Sequence, residues 1–243
     1  MEKIELSEYT IGEMVSEDYR KAEVFKSFGL DFCCGGKKTI DVACSEKDID
    51  VNALTQALLA LDTDKAGADR DFNEMKLDEL VNYIIATHHK YVAAAIPLIS
   101  EFSAKVAKVH GHANPEVVEI DKHFRSIAGE LTMHMHKEEM VLFPYINKIV
   151  ATQRLDEKLT ASAFGTVRNP IRMMEAEHEF AGNEMTAIDE LSNHYTPPDH
   201  ACNTYRVLYA KLNEFEADLH QHIHLENNIL FPKAIALEEQ LLK

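Results

Sequence analysis

A chain of 243 residues, 46% of them apolar, is long enough to bury a core as one large domain or two smaller ones. Its formal net charge of −16 opposes binding to nucleic acid or to an anionic membrane, because both need a basic surface. Nine glycines and seven prolines supply few of the turns a sheet-rich fold requires, so the expected class is all-α.

The opening MEKIELSEYT lacks a basic stretch followed by an apolar core, and the longest nearly continuous apolar run, 91–99, is too short to span a bilayer. No membrane partner is expected, and the expected location is the cytoplasm. Four cysteines, two of them adjacent, do not form the spaced framework of a secreted disulfide scaffold, which favours free or redox-active thiols.

Taken in chain order, residues 1–61 read as a small helical domain. Thr10 and Glu13 have capping-box spacing, Gly29 marks a helix stop, Thr39 an N-cap, and Asp50 opens an apolar-periodic stretch. Within this domain Asp31-Phe32-Cys33-Cys34-Gly35-Gly36-Lys37-Lys38 sets two thiols in a turn beside two lysines. Nearby positive charge lowers a thiol pKa, so Cys33 and Cys34 are candidates for oxidation, nitrosylation or metal binding, against the alternative of two small residues packing a turn. Cys44 and Cys202 lie in helical patterns and read as inert core. The charged segment 62–75 reads as a linker.

From 76 to 243 the pattern predicts an antiparallel four-helix bundle, with helices over 76–109, 115–150, 170–194 and 198–240 and with Pro115, Pro170 and Pro198 near helix starts. The longer connection, 151–169, is a candidate to fold over one end of the bundle. An internal repeat runs through this region: HMHKEEMVLFP at 134–144 and HIHLENNILFP at 222–232 agree at His, His, Glu, Leu, Phe and Pro, offset by 88 residues. His89 precedes the first copy by 45 residues and His178 the second by 44.

Residues four apart share one face of an α-helix, so His134 with Glu138 and His222 with Glu226 each point one way. Apolar neighbours predict that this way is inward: Leu131, Val141 and Leu142 around His134, Leu219, Ile229 and Leu230 around His222, Ile85, Val92 and Ile96 around His89, and Ile171, Met174, Ala181 and Met185 around His178. Two carboxylates buried without a compensating cation would cost several kcal/mol, and a pair of metal ions supplies that charge. Mixed nitrogen and oxygen ligands with open positions suit iron, and manganese as the second choice, better than a closed zinc site. The i+4 pairing alone keeps Glu in both copies, which sets aside His136 and His224, and His89 is preferred to His88. Glu175 and Glu177 are candidates for an outer layer around the site, or solvated acids.

The segments DFCCGGK, HMHKEEMVLFP, MEAEHEFAG and HIHLENNILFP carry a resemblance: along essentially its whole length the chain resembles the iron-sulfur cluster repair proteins, hemerythrin-like di-iron proteins of bacteria. The resemblance implies a cofactor of two iron ions, oxo- or hydroxo-bridged, held by His89, His134, Glu138, His178, His222 and Glu226. It further implies repair of clusters damaged by nitric oxide or oxidants through iron donation, with damaged iron-sulfur proteins as acceptors. Oxygen-carrying hemerythrins have a His-x-x-x-His pair on the third helix; here the position four after His178 is Gly182, which argues against reversible oxygen transport. A di-iron oxidoreductase acting on nitric oxide, oxygen or peroxide, and a redox sensor working through Cys33 and Cys34, are the competing readings. Either a monomer or a homodimer fits.

Overall fold

The computed structural model describes residues 9–62, 71–160 and 162–243, and all regular structure among them is helical. Most of the expected linker, 63–70, lies outside the described residues. Four short helices come first: α1 Ile11–Glu17, α2 Lys21–Ser27, α3 Ile40–Glu46 and α4 Val51–Asp62. Thr10 and Glu13 form the capping box of α1, with side chain and backbone bonded in both directions. Gly29 ends α2 at φ +69°, a conformation that a residue without Cβ adopts freely. Thr39 stands at the N-cap of α3 without a capping side-chain bond, and its backbone instead pairs with that of Thr10.

Four long helices follow: α5 over 77–110, α6 over 116–155, α7 over 168–191 and α8 over 203–241. They form an antiparallel bundle in which each helix packs on its chain neighbours and α8 closes the ring against α5. The last helix begins five residues later than the periodicity predicts. Pro197 and Pro198 restrict the residues before them to extended conformations, and Asn193, His194 and Tyr195 turn in the left-handed region just upstream.

Three of the four long helices are interrupted by a π-helical turn, at Ile85–His89 in α5, Glu138–Leu142 in α6 and Leu225–Leu230 in α8. The prolines of the repeat account for two of them. Phe143 donates its amide to the Glu138 carbonyl and Phe231 to that of Glu226, one residue further back than in an α-helix, so Pro144 and Pro232 follow where no donor is needed. A π turn also shifts the helical phase by about one residue, roughly 100°. That shift corrects one sequence expectation: Val141 is exposed, and Leu142 with Phe143 takes the inward place. Around His89 the shift buries Ile84 and leaves Ile85 and Ile96 half-buried. On α7, which has no π turn, Ile171, Met174, Ala181 and Met185 are all buried, as the simple period predicts.

The core falls into two apolar clusters. One joins the short helices to the half of the bundle that includes Val92, Phe124, Ala181 and Leu219; the other includes Ile84, Phe143, Met174 and Phe231. The histidines and glutamates of the repeat occupy the layer between them.

The short helices cap the bundle over α7 and α8. Asn228 sits between Gly12 and Gly36, where a Cβ would fall 2.5 and 2.6 Å from its Oδ1, and it donates to the Phe32 carbonyl at 3.2 Å. Only glycine allows so close an approach. Ion pairs Lys26–Glu216 at 2.7 Å and Lys37–Glu175 at 2.5 Å flank this contact, and Phe32 packs edge-on to His220.

The connection after α6 packs on one end of the bundle through Leu159, Phe164 and Val167. Its anchor is Glu238, a buried carboxylate that accepts from the Tyr145 hydroxyl at 2.7 Å and from the Val167 amide at 3.0 Å. Cys202 departs from the inert core reading: it stands exposed at the N-cap of α8, 3.3 Å from His110 Nε2. Cys44 is buried as expected. Replacing Glu238 by Ala strands two buried donors, and urea unfolding is expected to show a loss of about 2–4 kcal/mol.

Candidate metal centre

The layer between the two apolar clusters gathers His89 from α5, His134 and Glu138 from α6, His178 from α7 and His222 with Glu226 from α8, all with 3% exposure or less. Their ligand atoms form two groups, His89, Glu138, His222, Glu226 and His134, Glu138, His178, Glu226, each with atoms within 4.8 Å of one another. Both carboxylates belong to both groups. Glu226 presents Oε1 to His222 Nε2 at 3.1 Å and Oε2 to His178 Nε2 at 3.0 Å, while Glu138 Oε2 lies 3.3 Å from both His89 Nε2 and His134 Nε2.

The ring orientations are fixed from outside. His89 Nδ1 lies 2.8 Å from Glu139 Oε1, His134 Nδ1 3.0 Å from Glu177 Oε2, and His178 Nδ1 2.9 Å from Asn227 Oδ1. Each of these oxygens can only accept, so each Nδ1 carries a proton and turns the Nε2 lone pair toward the centre. Among the described residues His222 has no partner at Nδ1; its ring is held by parallel stacking on His88, centroids 5.5 Å apart. His88 in turn bonds Asp218 at 3.0 Å.

Inward-facing imidazoles around two carboxylates make a shell in which acceptors outnumber donors, with His222 Nε2 placed to donate to Glu226 Oε1 at 3.1 Å. His178 Nε2 and His134 Nε2 face each other at 3.0 Å, and both oxygens of Glu138, Oε2 of Glu226 and Nε2 of His89 are buried without a hydrogen-bond partner among the described residues. Buried polar atoms rarely stay unpaired, and such an arrangement of nitrogen and oxygen donors fits metal cations.

In their absence protons serve the same need. Burial pulls the His89 and His134 pKa values down, yet the neighbouring carboxylates Glu138 and Glu226 outweigh it and raise both to about 10. Burial and the repulsion of Glu226 push Glu138 up, and His134 with His89 hold it below its ordinary value all the same.

Of the two outer-layer candidates, Glu177 lies on His134 and Lys137, whereas Glu175 pairs with Lys37 of the cap. Cys33 and Cys34 lie over the site, their sulfurs 4.0 Å apart, and the Cys33 carbonyl accepts from Asn227 Nδ2 at 3.4 Å. His136 is exposed, and His224 is buried but faces Asn228. Glu139 and Asn227 are site residues that sequence reasoning passed over. A signal for them exists: each follows the first histidine of its repeat copy by five positions and anchors the histidine contributed by the preceding helix.

A helical bundle whose core presents paired His and Glu side chains to cations defines the class, and the chain matches the hemerythrin HHE cation binding domain over residues 80–234. Residues 7–62 match a second model, ScdA_N, a domain of unknown function. The chain is 37% identical over 216 residues to the iron-sulfur cluster repair protein YtfE of Yersinia pestis (strain Pestoides F), covering 89% of this chain and 91% of that one. The YtfE of Yersinia pseudotuberculosis serotype O:1b (strain IP 31758) gives the same identity and coverage. The chain therefore belongs to the family of hemerythrin-like iron-sulfur cluster repair proteins.

This geometry generates two expected outcomes. Glu139→Ala, which frees His89 Nδ1, is expected to weaken metal binding about 10- to 100-fold in a chelator competition assay. The metal-free chain draws stability from His89 and His134, whose values lie at 6.5 unfolded and about 10 folded. That contribution is complete below pH 6.5 and is lost as pH rises through about 10. Urea midpoints of metal-free protein should fall across that window, and those of metal-loaded protein should fall less, because a metal replaces the two protons.

Proposed function

We propose that His89, His134, Glu138, His178, His222 and Glu226 hold two iron ions and that the chain repairs damaged iron-sulfur clusters by donating that iron. The observation that carries the reading is the sharing of both buried carboxylates between two sets of histidines. Two ions with six side chains between them retain open positions, and nitrogen and oxygen donors of this kind favour iron over thiolate-seeking metals. The function itself is supported by the similarity to relatives named as iron-sulfur cluster repair proteins.

Here iron is cargo. The four helices hold it in a dry layer, the anchored imidazoles orient their lone pairs toward it, and the two carboxylates balance its charge. Incomplete ligation lets a thiolate-rich acceptor compete for the ions, while protons returning to His89 and His134 restore the charge balance of the emptied site. The acceptors are iron-sulfur proteins damaged by nitric oxide or oxidants, in a compartment that keeps the four free cysteines reduced, the cytoplasm. Among the described residues no helix is long and apolar enough to cross a membrane.

Iron-loaded protein should restore activity to a hydratase whose cluster has been damaged by nitric oxide, with loss of iron from the donor in proportion. The double variant Glu138→Ala, Glu226→Ala should restore none. Full restoration by that variant would refute the reading, as would repeated reduction of nitric oxide with no net loss of iron.

A further inference from the structure

The cap carries a second group of metal-binding atoms that the buried centre does not use. Asp31, Cys33 and Cys34 bring one carboxylate oxygen and two sulfurs within 4.8 Å of one another. The loop that holds them is built around Asp31, whose carboxylate accepts the amides of Cys33, Cys34 and Gly35 at 2.9–3.0 Å. Gly35 and Gly36 are needed for this turn, since a Cβ on either would meet a loop carbonyl at 2.7 Å. The result is a tight turn that keeps the donors close: Cys33 Sγ lies 4.0 Å from Cys34 Sγ and 3.2 Å from Asp31 Oδ1.

Those separations are close to the edges of a coordination sphere. Metal–sulfur bonds of about 2.3 Å at a tetrahedral angle put two sulfurs about 3.8 Å apart, and replacing one by a carboxylate oxygen shortens the edge to about 3.6 Å. Two of the three donor–donor separations thus lie within about 0.4 Å of tetrahedral edges, and the third, from Cys34 Sγ to the Asp31 carboxylate, is under 4.8 Å. A cleft of about 1010 Å³ opens beside them, lined by Cys33, Cys34, Glu175, Glu179 and Asn227 among others. Asn227 touches both places, with Oδ1 on His178 Nδ1 at 2.9 Å and Nδ2 on the Cys33 carbonyl at 3.4 Å.

We propose that Asp31, Cys33 and Cys34 form a second metal site on the cap, which takes one thiophilic dication, ferrous iron or zinc, and through which iron passes between the buried centre and an acceptor. The passage rests on the iron-donor reading above; the site itself does not. Binding forms two metal–sulfur bonds and one metal–oxygen bond and releases two thiol protons to solvent, with no change of oxidation state. Three protein donors leave a fourth position for a thiolate of the acceptor, which suits transfer rather than storage. The neighbouring Cys34 thiol and burial also raise the proton affinity of Cys33, which weakens metal binding at neutral pH relative to a closed four-cysteine site.

The probe is Co2+ titrated into the full-length, metal-free chain. A thiolate-to-cobalt charge-transfer band in the near ultraviolet reports sulfur ligation alone, because the buried centre contains no sulfur ligand. The band should appear in the wild type and in Cys202→Ser, and should vanish in Cys33→Ser and Cys34→Ser with far-ultraviolet circular dichroism unchanged. Asp31→Asn, whose Oδ1 still accepts the Cys33 and Cys34 amides although its NH2 replaces the oxygen that accepts from Gly35, should raise the half-saturating cobalt concentration about tenfold with far-ultraviolet circular dichroism unchanged. No band in the wild type at millimolar cobalt, or a band that survives both serine variants, overturns the site. Cys34→Ser should also slow iron transfer to an acceptor at unchanged iron content; an unaltered rate overturns the passage. If wild-type protein delivers no iron at all, the donor reading fails, and the cobalt band still decides the site.

Discussion

Two carboxylates with no exposure, Glu138 and Glu226, set the terms for the whole bundle. Among the described residues their ion pairs are all with histidines, so no lysine or arginine balances them. A buried carboxylate left alone costs several kcal/mol, which means that the fold is tolerable only if protons or metal cations occupy the layer. Either way, the four long helices are tied together at one level, and the apolar core is divided into a cluster on each side of it. The same polar layer that weakens the core as hydrophobic packing favours this register, in which every imidazole reaches a shared carboxylate.

Legibility in the sequence tracks the regularity of the helices. His178 lies on a helix without a π turn, and its apolar neighbours at i−7, i−4, i+3 and i+7 are all buried. The neighbours of His134 are harder to read, because the π turn at Glu138–Leu142 rotates the remainder of the helix and exposes Val141. The cause is nevertheless written in the repeat, in the Leu-Phe-Pro that ends both copies. His134, Glu138, His222 and Glu226 are legible because the i+4 spacing precedes or only enters the irregular turn. Contacts that depend on how separate helices face one another, such as Glu139 on His89 and Asn227 on His178, leave no periodicity along a single segment.

The cap shows the same limit in another form. That Cys33 and Cys34 lie in a tight turn is implied by the two glycines after them, but nothing local says that the turn seats on α8. The seat is Asn228, one residue past the repeat's outer-layer position, fitted between Gly12 and Gly36. Sequence places those three residues far apart, and only close backbone approach joins them. Glu175 illustrates the consequence: an acid beside the metal-binding motif serves the cap through Lys37, while its neighbour Glu177 serves the centre through His134.

The near-symmetry of the two repeat copies makes their departures from it informative. The residue before His178 is Glu177, which anchors His134; the residue before His89 is His88, which stacks on His222 and bonds elsewhere. The residue five past His134 is the carboxylate Glu139, and the residue five past His222 is the amide Asn227. The pair His134 and His178 therefore has both rings anchored, whereas of His89 and His222 only the first is anchored. A carboxylate on Nδ1 also raises imidazole basicity more than a neutral amide does. Two single-residue differences thus make the two donor sets unequal in stiffness, although each set has one histidine on an outer carboxylate, Glu139 or Glu177, and the carboxylates between them are common to both. The amide side is also the side that reaches the cap, since Asn227 meets the Cys33 carbonyl. A carboxylate there would have repelled that carbonyl, so the break in symmetry adds a contact to those by which the cap docks over the centre.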